Sequence, residues 1–255
     1  MRRLLRPFID AAAFVGFDVY RASTLRKLPR FTRDALAYRR RARGSFALHT
    51  AHLTPVLTDF HAQAGIARGQ YFHQDLWAAR LIYARRPAQH VDIGSRIDGF
   101  VAHLLTFMPV TVVDIRPLET DVQGLRFVQG DMCRLDGFAT GSVDSLSCLH
   151  TIEHVGLGRY GDAIDPEGWF AAVRELARIL APGGRLYLGT PIGQERVCFN
   201  SERVFSPKTI LDAVPDLKLM SLAAIDQADR FVPSADLNRI MALSYGCGLF
   251  EFTKP

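Results

Sequence analysis

Residues 90–114, HVDIGSRIDGFVAHLLTFMPVTVVD, leave this chain few folds to choose from. The apolar run 91–93 stops at Gly94. A helical pattern follows with Phe100, Val101, Leu104 and Leu105 on one face, and a second apolar run, 110–113, ends on Asp114. Strand, glycine turn, helix, strand and acid, in that order, are the opening βαβ unit of a nucleotide-binding α/β domain. A carboxylate at the tip of the second strand can accept hydrogen bonds from both hydroxyls of a ribose. Asp114 lies twenty residues past Gly94, where such an acid is expected. A dinucleotide fingerprint, G-x-G-x-x-G, would let the backbone approach a pyrophosphate at a helix N-terminus. Here Arg96 stands at the middle glycine and Asp98 would set a negative charge beside that pyrophosphate, which disfavours a nicotinamide dinucleotide.

The same alternation runs on in both directions. Residues 74–86 read as a helix with Leu76, Trp77, Leu81 and Ala84 as its buried stripe, stopped by Pro87 and placed to pack across the sheet or cover the cofactor cleft. Residues 125–128 form a third strand and 142–149 a fourth, which ends at His150. Residues 165–180 are an amphipathic helix with Pro166 in its first turn, broken by Pro182-Gly183-Gly184. A fifth strand, 185–189, is ended by Thr190-Pro191; a helix near 207–213 and strands near 217–224 and 242–252 complete the set. The pattern predicts an α/β, doubly wound, Rossmann-like domain over residues 88–255, with a seven-stranded, mostly parallel sheet. A basic helical N-terminal extension, residues 1–87, precedes it.

At 255 residues and 48% hydrophobic composition the chain can bury a full core. Cys133, Cys148, Cys198 and Cys247 show neither C-x-x-C nor zinc-ligand spacing, which fits free thiols in a cytoplasmic protein. No apolar run reaches the roughly 18 residues of a transmembrane helix. The charge is unevenly placed: residues 1–45 hold twelve Arg or Lys against three Asp, a balance of +9, which leaves −4 for the rest of a chain whose net charge is +5. Within that segment residues 4–20 mix apolar residues with arginines, while Pro7 and Asp10 interrupt the apolar stretch a signal peptide would need. Two readings stay open: a basic helix packed on the domain or a partner, or an amphipathic helix lying peripherally on the anionic inner face of a membrane. Nucleic-acid binding is not expected, because no recognised module accompanies the charge. His49, His52, His61 and His73 have no ligand spacing, and residues 45–70 carry little usable pattern.

Three segments resemble the class I S-adenosylmethionine-dependent methyltransferases, of the type 11 kind. Residues 126–155, RFVQGDMCRLDGFATGSVDSLSCLHTIEHV, look like that family's run from strand three through strand four. Residues 177–191, ARILAPGGRLYLGTP, look like its helix, Pro-Gly-Gly and strand five, and residues 90–99 sit where its glycine-rich motif belongs. IGSR, DIRPL and RVCFNSERVFSP also resemble a smaller branch filed as a domain of unknown function and linked to surface polysaccharide genes. The resemblance covers about residues 88–255 and implies S-adenosyl-L-methionine as cofactor. It places Asp92, Gly94, Ser95 and Gly99 around the methionine end, Asp114 and Ile115 at the ribose, and Asp131 with Met132 at the adenine. The family's D-x-G-x-G-x-G is here Asp92-x-Gly94-x-Arg96-x-Asp98, with two glycines replaced and Gly99 left to supply freedom to the turn.

His150-Thr151-Ile152-Glu153-His154 fits the zinc-peptidase pattern H-x-x-E-H. That pattern needs a continuous helix, whereas this one starts at the carboxyl end of a strand and has no third ligand, so no metal is expected. The resemblance puts an equivalent Glu-His at the cleft mouth, where ligands bind in open α/β sheets. His154 then reads as the base for the acceptor, with His150 nearer the cofactor and Glu153 orienting an imidazole or taking the proton; capping of the next turn is the structural alternative. Tyr160 and Asp162 on the following loop, with Asn200 and Arg203 beyond strand five, are candidates for the acceptor site, although Arg203 could equally anchor its loop. Aromatic faces with Asn and Arg suit a sugar, so the reading is O-methylation of a glycan or another small hydroxylated acceptor, in polysaccharide biosynthesis. Its rivals are an NAD-dependent sugar-modifying enzyme and a non-catalytic, methyltransferase-like binding protein. Oligomeric state is left open.

Overall fold

The computed structural model describes residues 23–60 and 62–255. Contacts divide the chain into two compact units, Met1–Ile66 and Ala67–Pro255. The helix expected at 74–86 therefore belongs with the sheet, although the sequence reading had counted it in the extension up to residue 87. Amphipathic character at residues 4–20, and His61, lie outside the described residues.

The first unit is built on α1 (Leu28–Arg41), started by Pro29 and ended by three consecutive arginines, Arg39, Arg40 and Arg41, whose charge suits the negative helix C-terminus. It buries none of its residues. Its neighbours are tied back sparsely: the Tyr38 hydroxyl donates to the Phe46 carbonyl at 3.2 Å and the Lys27 ammonium to that of Leu57 at 3.0 Å. No helix among the described residues is long and apolar enough to cross a membrane.

In the second unit α2 (Gln70–Arg85) leads into β1 (His90–Ile93). After Gly94 the chain makes a π-helical turn, Ile97–Val101, that tightens into α3 (Ala102–Leu105). Next come β2 (Val110–Asp114), β3 (Leu125–Gln129), β4 (Val143–Leu149), α4 (Gly168–Ile179) and β5 (Leu180–Gly193). A hairpin, β6 (Arg196–Cys198) with β7 (Glu202–Val204), precedes α5 (Pro207–Ala213), β8 (Lys218–Ile225), β9 (Phe231–Val232), α6 (Leu237–Met241) and β10 (Tyr245–Thr253).

The main sheet runs β3-β2-β1-β4-β5-β10-β8-β9. Its first five strands are parallel, and β10 lies antiparallel between β5 and β8. The sheet has eight strands and not the expected seven, because Phe231 and Val232 add a two-residue edge that alternation cannot reveal. The order reverses between β1 and β4, which places the ligand cleft at their carboxyl ends.

The inner strands β1, β2, β4 and β5 are largely buried on both faces, whereas β3, at the edge, is only half-buried. One face packs on Leu176, Ile179 and Ile210 of α4 and α5, and the other on Trp77, Ile82, Phe100 and Leu104 of α2, the π turn and α3. Two polar residues sit inside β1 and must be satisfied there. His90 lies between the Ser145 and Ser147 hydroxyls at 2.7 and 2.8 Å, and Asp92 accepts from the hydroxyls of Ser95 and Ser147.

Three boundaries differ from expectation for identifiable reasons. Pro166 does not open α4: the Asp165 carboxylate accepts from Glu167 N at 3.0 Å and holds a turn, so the helix starts at Gly168. Pro182-Gly183-Gly184 does not end α4, which stops at Ile179 where Leu180 turns extended, and lies instead within β5, where the pairing with β4 slips between Val143 and Ser145. Pro191 does not end β5, because pairing with β10 carries the strand on to Gly193.

Candidate functional site

A cleft with a cavity volume of about 70 Å³ opens at the carboxyl edge of β1, β2, β3 and β4. Its walls include Gly94, Asp114, Ile115, Asp131, Met132, His150, His154, Tyr160 and Asp162. Residues from four separate strand ends and the loop after β4 thus meet around one volume.

The glycine turn of β1 fills itself. Gly94 has φ +72°, and a Cβ there would lie 2.4 Å from the Thr151 methyl, so Thr151 packs on bare backbone. Asp92 and Ser95, expected at the cofactor, do not line the cleft: both are buried, with Ser95 N donating to Asp92 at 3.0 Å and the Ser95 hydroxyl accepting from Leu149 N at 3.1 Å. Desolvation pushes Asp92 up to about 6 against the pull of its Ser147 and Ser95 hydrogen bonds. Gly99 also lies away from the cleft, where its missing Cβ makes room for the Asp75 carboxylate of α2. At the two positions that replace motif glycines, Arg96 forks onto Asp98 at 3.0 and 3.2 Å and lies over the Tyr71 ring at 5.0 Å.

Two carboxylates stand at the ends of β2 and β3 along one side of the cleft. Asp114 stands at the tip of β2. Asp131, after β3, accepts from Cys133 N through Oδ1 at 2.8 Å, and Ile115 and Met132 supply apolar wall. Asp114 is already engaged, however. Its Oδ1 accepts from the Arg116 amide at 2.8 Å and from Nε at 3.0 Å, and its Oδ2 accepts from Nη2 at 2.7 Å. The Arg116 guanidinium lies 4.4 Å from the Tyr160 ring centroid.

On the other side of the cleft, the chain leaving β4 delivers three buried titratable residues. His150 leaves the strand at φ +53°, and Ile152–His154 forms a 3₁₀ turn, so the two histidines do not share a continuous helix. The Glu153 Oε1 lies 3.6 Å from His150 Nδ1 and 3.8 Å from His154 Nε2. Both the Ser201 carbonyl, at 2.7 Å, and Arg159 Nη1, at 3.3 Å, face His154 Nδ1. The carbonyl is nearer and can only accept, and Arg159 donates to that same carbonyl at 2.9 Å, so Nδ1 carries the proton and the neutral ring turns its Nε2 lone pair toward Glu153. His150 Nε2 lies 2.9 Å from Gln70 Oε1, which turns the unpartnered Nδ1 toward the same carboxyl oxygen. Two lone pairs converging on one carboxyl oxygen favour a proton on it. Burial drives all three the same way, toward neutrality. Glu153 is pushed up to about 8, and His150 and His154 down to about 4, His154 additionally by the charges of Arg159 and Arg116.

The acceptor-side candidates divide. Tyr160 packs edge-on to His154 at 5.6 Å and borders the cleft. Asp162 borders it too, but its carboxylate accepts from the amides of Gly156, Gly158 and Tyr160; these outweigh desolvation and hold it below the usual range. Arg203 is buried and donates to the carbonyls of Val155, Asp165 and Pro166, so it anchors the loop and does not line the cleft. Asn200 is exposed between β6 and β7, outside the cleft, and only its neighbour Ser201 reaches the site through its carbonyl. Sequence reasoning missed Gln70, Tyr71 and Arg116. The first two come from the start of α2, twenty residues before β1, and no local signal marks them. Arg116 had one: an arginine two residues past a strand-end acid and followed by Pro117.

A family described as Caenorhabditis protein of unknown function, DUF268, matches residues 132–214. No curated protein matches the chain. Many solved structures are similar to it, among them the following three. The [4+2]-cyclase SpnF is 12% identical, with a TM-score of 0.53 over 75% of this chain and 86% of its own. The N-methyltransferase NodS from Bradyrhizobium japonicum WM9, in complex with S-adenosyl-L-homocysteine, is 16% identical, with a TM-score of 0.51 over 72% and 86%. A putative sarcosine dimethylglycine methyltransferase from Galdieria sulphuraria is 12% identical, with a TM-score of 0.51 over 71% and 84%. At these identities the likeness is one of fold, and a cyclase among the three underlines that a fold does not fix a chemistry. This chain has the Rossmann-like fold of the class I S-adenosylmethionine-dependent methyltransferases.

Proposed function

We propose that the protein transfers a methyl group from S-adenosyl-L-methionine to an oxygen of a small hydroxylated acceptor, a glycan by preference. The reading is carried by one observation: two carboxylates suited to a nucleoside, Asp114 and Asp131, share a cleft with His150 and His154, behind which the Glu153 carboxyl lies buried. Asp114 would hold the ribose hydroxyls and Asp131 the adenine amino group, with Ile115 and Met132 against the base. The cofactor supplies a methyl carbon on a sulfonium, a leaving group that needs no acid. What remains for the protein is alignment and removal of the acceptor proton. His154 Nε2 is the lone pair that receives the acceptor proton; the neighbouring Glu153 carboxyl, itself protonated below about 8, can take that proton on only once it has ionised. Gln70 and the Tyr71 ring, 4.9 Å from that of His150, screen this end from water.

Release of labelled S-adenosylhomocysteine in the presence of glycan acceptors tests the activity directly. Binding is tested separately. Asp114→Ala removes a charge-assisted acceptor of two hydroxyls and should weaken S-adenosylhomocysteine about 10- to 150-fold by calorimetry, the equivalent of roughly 1.5–3 kcal/mol. Equal affinity in wild type and variant would remove Asp114 from the site.

The N-terminal extension supports a second, separate role. Its +9 balance over residues 1–45 goes with exposed Leu36, Tyr38 and Phe46 near the arginines of α1, a combination that suits an anionic bilayer surface. Full-length protein should co-sediment with phosphatidylserine vesicles and be released as salt is raised. Deletion of residues 1–45 should abolish this while leaving ligand binding intact; sedimentation unchanged by the deletion would reject the role.

A further inference from the structure

We propose that Arg116 is an internal competitor for the ribose site, closing its guanidinium fork on Asp114 and having to open before a nucleoside can bind, so that it sets how tightly this chain takes an adenosine ligand. The inference rests on the reading of Asp114 as the ribose acceptor.

A guanidinium edge and a vicinal diol are both paired donors that meet the two oxygens of a carboxylate side by side. Arg116 already occupies that arrangement, with Nε on Oδ1 and Nη2 on Oδ2. A ribose and the fork therefore exclude each other. The Arg116 backbone amide, which also donates to Oδ1, is compatible with either and keeps the carboxylate aimed when the fork leaves.

The geometry also allows the fork to leave. Pro117 follows, and a residue before proline is confined to extended backbone, so the latch opens by rotation of the Arg116 side chain and not by movement of its main chain. That side chain is 51% exposed, against 14% for Asp114. Residues 115–124 form no helix that could clamp it. The Tyr160 face, 4.4 Å from the guanidinium, gives it somewhere to rest at the cleft mouth without the carboxylate. A half-exposed ion pair is worth little enough for a ligand to displace.

A salt signature follows that a merely structural arginine would not give. Screening weakens the ion pair but not the hydrogen bonds of a neutral diol. Affinity for a ligand of no net charge should rise with ionic strength.

The test uses the full chain, with S-adenosylhomocysteine as probe in calorimetry and native near-ultraviolet circular dichroism as the check of folding. Arg116→Ala should tighten binding on the order of tenfold, as expected for loss of a screened but bidentate competitor. Arg116→Lys, which keeps the charge without the fork, should fall between wild type and alanine. Raising sodium chloride from about 0.05 M to about 0.5 M should tighten wild type and leave Arg116→Ala unmoved. Measurable binding that is equal or weaker in both variants overturns the competitor and leaves the cofactor reading standing. Absence of binding in wild type and both variants at about 1 mM ligand overturns the two together. Tight binding by the variants alone supports both.

Discussion

Replacing His154 with alanine should lower methyl-transfer turnover about 10²- to 10⁴-fold, the usual cost of losing a general base, while S-adenosylmethionine affinity stays within a few-fold. The separation is expected because His154 meets the chain through Ser201, Glu153 and Tyr160, whereas the nucleoside candidates Asp114 and Asp131 sit at the ends of other strands. Its Nδ1 is committed to the Ser201 carbonyl, so the imidazole has one tautomer and one lone pair to offer. Burial pushes the ring down to about 4 and keeps that lone pair unprotonated across the neutral range. Steady-state turnover and calorimetry on the same preparation make the measurement. Normal turnover would exclude His154 as the base, and joint loss of turnover and binding would make it structural.

Glu153→Gln should produce two effects with one cause. Burial raises the Glu153 carboxyl from 4.5 to about 8, so between those values the folded chain holds a proton that the unfolded chain has released. Stability therefore falls as pH rises through that window, and above about 8 the full cost of a buried, ionised carboxylate is present. At about 1.36 kcal/mol per pH unit of displacement, that cost is a few kcal/mol. Glutamine cannot ionise. The variant should melt close to wild type at pH 5 and clearly above it at pH 9. In catalysis the same carboxyl gives the wild type a limb of turnover that rises with pH toward about 8, and the variant should lack it. Melting curves that stay parallel from pH 5 to pH 9 would mean that Glu153 is not held neutral in the folded protein.

How much of this was legible before any coordinates depended on how local the cause was. The βαβ opening, the strand-end acids Asp114 and Asp131 and the placement of His150 at the end of β4 were readable, because each follows from a period in the chain plus the rule that ligands bind at the carboxyl edge. Misreadings gathered where a residue's partner lies far away in sequence. Asp92 and Ser95 occupy motif positions, yet Ser147 across the sheet turns Asp92 into a satisfied core carboxylate and Ser95 follows it inward. Of the two roles the sequence leaves open for Arg203, acceptor binding or loop anchor, its bonds to the carbonyls of Val155, Asp165 and Pro166 favour the anchor. Pro191 looked like a strand end, but its pairing with Cys247 continues the strand regardless.

The sequence by itself determined the layer architecture, the direction of the parallel strands and the edge at which chemistry can occur, since hydrophobic period and chain order are properties of neighbours in sequence. Only the tertiary structure decided which of the chemically suitable side chains are free to meet a ligand. Three titratable groups become neutral together because burial removes water from all of them at once. Asp114 acquires a competitor because a turn of two residues returns a guanidinium to it. Burial and hydrogen-bond satisfaction are set by everything packed around a residue, most of it distant in the chain, and no local pattern carries that information.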